Sequence, residues 1–143
     1  MLKRKLYKPF VMKHLIYCGI LILLLSSCKE KLDLASFTNT KWELTELTGL
    51  TLPSTAKATL NFADSLKISG KSFCNNYGGQ GEIADNKITV KNVFSTKMFC
   101  QETDAAERAY LHALNQVNSA KIADNKLYLL NGSKTLMVYS KTN

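Results

Sequence analysis

The sequence predicts a mostly β (α+β) fold, an antiparallel sheet carrying one amphipathic helix. Two observations lead there. From Lys41 onward apolar and polar residues alternate with a period of two through most of the chain, as in strands with one buried face. A single stretch, DAAERAYLHALNQV from Asp104, breaks that period and places Ala106, Tyr110, Leu114 and Val117 on one helical face.

Taken in order, KWELTEL sets Trp42 and Leu44 against Glu43 and Thr45. ATLNFA sets Leu60 and Phe62 against Thr59 and Asn61, and KITVKNV sets Ile88 and Val90 against Thr89 and Lys91. KLYLL and KTLMVYS close the chain with Leu127 and Leu129, then Leu136 and Val138. Turn chemistry separates these runs at Pro53-Ser54, Ala63-Asp64-Ser65, Asp85-Asn86, Asp124-Asn125 and Asn131-Gly132. Asp104 and Glu107 have the spacing of a capping box at the start of the helix. IADNKITV at 83–90 recurs as IADNKLYL at 122–129. Two hairpins sharing one turn solution account for this, since Asp and Asn tolerate positive φ; the sharper alternative is a duplicated binding loop.

The N-terminus sets the expected compartment. Residues 1–27 carry five cationic side chains, no acid, and an uninterrupted apolar run from Leu15 to Leu25. Eleven residues fall short of the roughly 20 needed to span a bilayer, and the pattern is that of a secretory signal peptide. The run ends in Leu25-Ser26-Ser27-Cys28, which resembles the lipobox of bacterial lipoproteins. That resemblance implies lipid on Cys28 as the first mature residue. The expected organisation is a signal peptide over 1–27, a lipidated N-terminus and tether over 28–40, and a domain over 41–143. Leu34 and Phe37 are the two tether residues able to dock on the domain.

Processing changes the charge balance. The formal net charge of +8 includes the five cationic residues of 1–27; the remainder holds 14 Lys or Arg against 11 Asp or Glu, a balance of +3. The lysines are scattered among acids, unlike the clustered stripe of a nucleic-acid binder. No nucleic-acid partner is expected.

With Cys18 in the leader and Cys28 lipidated, Cys74 and Cys100 remain as an even pair in an oxidising compartment. A disulfide between them closes a ring of roughly 27 residues, for which chain entropy gives about 3.5 kcal/mol. A redox-active pair is the rival reading, weakened because neither cysteine lies in a CxxC motif.

Other chemistries lack their parts. Gly70-Lys71-Ser72 mimics the tail of a phosphate loop, but Ser65 stands where the first glycine belongs and no helix follows. Gly78, Gly79 and Gly81 lie outside any βαβ pattern and read as a bulge or bend. A structural zinc needs four ligands; Cys74, Cys100 and His112 supply three, so neither metal nor cofactor is expected. Ser95-Thr96-Lys97 misses the S-x-x-K spacing, because Met98 occupies the lysine position.

Gly70-Lys71-Ser72-Phe73-Cys74-Asn75-Asn76-Tyr77-Gly78-Gly79 and Ser95-Thr96-Lys97-Met98-Phe99-Cys100 together resemble the recurring blocks of the META domain family. Trp42-Glu43-Leu44, the Glu107–Leu114 helix and the last two strands complete the resemblance, over about residues 40–140. One departure is Phe73, where the family usually has glycine before Cys-Asn. The resemblance implies a partly barrel-like sheet and an envelope- or stress-associated protein without established catalytic activity, and it transfers no catalytic residues. The expected function is therefore that of a non-enzymatic, monomeric lipoprotein of the cell envelope. It is held on a membrane, the outer in preference to the inner, by lipid on Cys28, and binds an envelope protein or small ligand. Asn75, Asn76, Tyr77 and Thr96 are the candidate binding residues, with turn formation and loop packing as their alternative role. A periplasmic or surface enzyme or inhibitor is the alternative function; a pocket around Lys97 or His112 favours the enzyme, an exposed apolar patch a binding module.

Overall fold

The computed structural model describes residues 33–143 apart from Asn86. The expected signal peptide, Cys18, the expected lipidation site Cys28 and the first residues of the expected tether lie outside the described residues. The chain begins with a short 3-10 turn, Leu34–Ser36, followed by β1 (Thr40–Leu47) and β2 (Thr59–Phe62). A second such turn at Asp64–Leu66 leads into β3 (Lys67–Ser72), β4 (Asn75–Ala84) and β5 (Lys87–Ser95). Helix α1 (Asp104–Asn115) then connects to β6 (Ser119–Ala123), β7 (Lys126–Asn131) and β8 (Lys134–Thr142).

The strands form one antiparallel sheet in the order β5-β4-β3-β2-β1-β8-β7-β6. The sheet curls into a half-barrel, bringing its edge strands β5 and β6 near each other without pairing. Trp42, Leu60, Phe62, Ile68, Tyr77, Ile88, Leu127, Leu129, Met137 and Tyr139 point to the inside, where Ala106, Tyr110, Ala113 and Leu114 of α1 join the same core. Period-two burial follows the predicted faces in β1, where Trp42 and Leu44 are buried and Lys41 and Thr45 are exposed.

Both copies of IADNK are hairpin turns. Ile83 pairs with Ile88 and Ala84 with Lys87, just as Ile122 pairs with Leu127 and Ala123 with Lys126. Asp85 and Asp124 take positive φ of 50° and 52°, the left-handed geometry of a tight hairpin turn. The repeat is therefore one turn solution used twice. Phe37 docks under the sheet, edge-on to Phe62 at 5.4 Å, whereas Leu34 stays half-exposed.

The capping box does not form. Thr103 is the N-cap residue and makes no side-chain cap bond, Asp104 pairs with Arg108, and Glu107 turns inward. The physical reason lies in the core, where Glu107 meets stronger demands than a helix end makes.

Candidate functional site

The β3–β4 connection is a tight corner of the sheet. Ser72 pairs with Asn75, leaving only Phe73 and Cys74 to turn the chain. The Cys74 amide donates back to the Ser72 carbonyl at 3.0 Å, closing a three-residue turn. Phe73 adopts a φ of 70°, in the left-handed region that ordinarily favours glycine. Its ring is buried against Tyr110, centroids 6.1 Å apart, so the strained backbone is held by a packed side chain.

Because the turn uses the Cys74 amide, the Asn75 amide needs another acceptor. It finds Glu107 Oε1 at 3.0 Å. The Glu107 carboxylate also accepts from the Ser72 hydroxyl and from Asn75 Nδ2, the latter at 2.8 Å. Three donors from the corner thus converge on one buried carboxylate from α1, which satisfies an anion that the core could not otherwise hold. Asn75 continues the network outward. Its Oδ1 accepts from Thr96 Oγ1 at 2.7 Å and from the Met98 amide at 2.8 Å, while Nδ2 donates to the Met98 carbonyl at 2.9 Å. With two donors and two acceptor sites all engaged, Asn75 is saturated.

A disulfide joins Cys74 to Cys100, Cα atoms 6.0 Å apart, and fixes the far end of the same loop. The Cys100 carbonyl then accepts from the Thr103 and Asp104 amides at 3.0 and 2.9 Å, anchoring the start of α1. The segment from Thr96 to Cys100 is accordingly clamped by Asn75, the disulfide and the Thr96 amide bond to the Asn76 carbonyl. Its outward side forms a ledge. Phe94 is 70% exposed, Met98 60% and Phe99 76%, with exposed Lys97 among them. Phe94 is the cross-strand partner of Gly78, and a Cβ there would lie 2.6 Å from the phenyl ring. Glycine at 78 is what lets the ring sit over β4.

Inside the sheet, three tyrosines form a hydroxyl relay. Tyr139 donates to Tyr110 at 3.2 Å, Tyr110 and Tyr77 lie 2.7 Å apart, and Tyr77 donates to the Thr59 carbonyl at 2.8 Å. Burial, ahead of mutual repulsion between the phenolates, pushes all three hydroxyls well above the usual tyrosine range. Glycine at 70 leaves the Thr59 carbonyl room: a Cβ there would lie 2.0 Å from the Thr59 oxygen.

The four candidate binding residues separate into two pairs. Asn75 and Tyr77 are buried and bonded internally, in the packing role rather than a ligand-facing one. Asn76 and Thr96 are exposed beside the ledge, with Thr96 already bonded to Asn75 and close to the Asn76 amide. His112 is exposed on α1, and among the described residues no group of three His, Cys, Asp or Glu side chains converges on a metal position. The Ser72 hydroxyl, although paired with a carboxylate, is fully buried and has no path to a substrate. Phe94 and Phe99 were not distinguished by sequence reasoning. The available signal was local: in Phe94-Ser-Thr-Lys-Met-Phe99 the apolar residues no longer keep a period of two.

Comparisons with known proteins follow the same geometry. The Escherichia coli (strain K12) heat shock protein HslJ is 25% identical over 79 residues, 54% of this chain and 56% of that protein. The matched part is thus little more than half of that relative's length. An NMR structure of a protein from Burkholderia xenovorans is similar with a TM-score of 0.65 and 22% identity, covering 76% of this chain and 86% of that one. A crystal structure of a DUF4847 family protein from Bacteroides vulgatus is similar with a TM-score of 0.56 and 13% identity, over 75% and 96% of the two chains. At such identities the structural likeness speaks for the fold alone. The META domain family model matches residues 35–143, taking in the whole sheet, the buried carboxylate hub and the ledge. The chain belongs to the META domain family.

Proposed function

We propose that this protein is a lipid-anchored, non-enzymatic binding module of the cell envelope, serving stress tolerance or envelope maintenance. The observation that carries the reading is the ledge: three large apolar side chains exposed to solvent, Met98 and Phe99 on the clamped loop and Phe94 at the end of β5. Solvent-exposed apolar groups are ordinary when scattered, but grouped ones mark interaction surfaces. Here they are grouped within six residues and pre-organised by the disulfide and Asn75, so that binding need not order the loop. The stress association is supported by the similarity to a protein named for heat shock, and the anchor by Leu25-Ser26-Ser27-Cys28.

Two measurements test the proposal. Intact mass of the protein from its native host is expected to show a mature N-terminus at lipidated Cys28; any other N-terminus removes the anchor from the proposal. A photo-cross-linker at position 97 in intact envelopes is expected to capture an envelope component, with capture lost in Met98→Ser/Phe99→Ser. Unchanged capture in that variant refutes the ledge as the binding surface.

A further inference from the structure

We propose that the ledge is a membrane-docking device, inserting Phe94, Met98 and Phe99 into the interface of an anionic lipid bilayer. This rests on reading the ledge as a binding surface and names its ligand. Three observations select lipid over a protein partner. First, the exposed area is small. Three side chains at these exposures offer about 400 Å², half of what each side of a stable protein interface typically needs, about 800 Å². A bilayer has no such threshold when a covalent lipid supplies the remaining affinity, because one acyl chain plus a second weak signal makes a stable anchor.

Second, the charge around the ledge suits anionic headgroups. Phe94 stands on the outer face of the sheet in one row with Lys41, Asn61, Ser69 and Gly78. Lys67 and Lys71, two residues either side of Ser69 on β3, share that exposed face, as does Lys91 on β5. The acids on these rows, Glu43 and Glu82, are paired with Lys57 and Lys91. Lys41, Lys67, Lys71 and Lys97 therefore present positive charge beside the aromatic rings, with no acid inside the 94–99 segment itself.

Third, the ledge is rigid, so insertion forfeits no loop entropy.

The test uses residues 28–143, which enclose the complete core, with one acyl chain coupled to the Cys28 thiol, and flotation with phosphatidylcholine vesicles containing or lacking phosphatidylglycerol. The expected result is flotation at least about tenfold stronger with the anionic lipid, and weakened about tenfold or more in Met98→Ser/Phe99→Ser. Lys67→Glu/Lys71→Glu is expected to weaken it as well, and both variants should keep the parent's urea midpoint. Phe99→Trp should shift its emission to the blue on vesicles and be quenched by lipid-borne quenchers. The inference is overturned if the parent stays with the soluble fraction, if the ledge variant floats equally, or if the ledge drives a dimer that excludes vesicle binding. Absence of vesicle binding together with ledge-dependent capture of a protein would overturn the membrane ligand and leave the binding-module reading standing.

Discussion

Replacing Phe73 by glycine and by alanine separates two opposing contributions at the β3–β4 corner. Removing the buried ring takes away its packing on Tyr110, which for Phe in a core costs about 3–5 kcal/mol. Alanine keeps a Cβ at φ 70° and therefore keeps the left-handed strain, about 1–2 kcal/mol. Glycine loses the same ring and adds about 0.5–1 kcal/mol of backbone entropy but relieves that strain, so its net loss should be about 2–4 kcal/mol. The glycine variant should thus be more stable than the alanine variant by about 1 kcal/mol. At an ordinary strand position such as Leu60 the order reverses, glycine being worse than alanine by about 0.5–1 kcal/mol. Urea unfolding of the oxidised protein reads the difference as a shift in midpoint at constant slope. A Phe73→Gly protein no more stable than Phe73→Ala would mean that the corner stores no backbone strain, and the argument for a packed ring holding it would collapse.

Glu107→Gln puts an amide among three donors and should cost about 2–3 kcal/mol in urea unfolding; an unchanged midpoint would deny the hub its structural role. Gly70→Ala drives a methyl into the Thr59 carbonyl and should leave no cooperative near-UV signal, whereas Gly132→Ala, with open space around it, should fold. For the tyrosine relay the folded pKa values lie above the unfolded value of about 10. Its stabilising contribution is whole below pH 10 and declines as pH rises beyond it, because only the unfolded state releases those protons. Tyrosinate absorbance from the three should appear together with unfolding, and Tyr139→Phe should flatten the alkaline loss of stability; phenolates forming in a still-folded protein would contradict the buried relay.

What could be read from the sequence depended on whether one residue's neighbours or the whole sheet decided its state. β1, β2, β5, β7 and β8 advertise themselves by alternation, as does α1 by its apolar face. β3 and β4 do not: KISGKS and NNYGGQGEIA are polar and glycine-rich, and only pairing on both sides makes them strands. Of the three glycines read as a bulge or bend, Gly78 and Gly79 sit at one, the register slipping between Gly78 and Gln80, whereas Gly81 pairs regularly with Val90. The capping box was a sound local inference defeated by a distant one, since no local pattern tells that Ser72 and Asn75 will compete for Glu107. The same holds for Asn75 and Tyr77, whose side chains are consumed by partners 18 to 33 residues away. Phe73 is the instructive middle case. Its place in a family motif that usually has glycine marked the position as unusual, and the backbone there indeed takes glycine's conformation.

The central position of β8 bears on when the protein acquires its shape. The last strand inserts between β1 and β7, so residues near 40 must meet residues near 140 before the sheet is continuous. Without Lys134–Thr142 the two parts, β5 to β1 and β7 with β6, share no ladder. A chain emerging from its N-terminus therefore lacks a continuous sheet until Lys134–Thr142 has been made, and such long-range pairing folds slowly. The order of the strands thus doubles as a timer that postpones closure of the sheet until β8 is at hand.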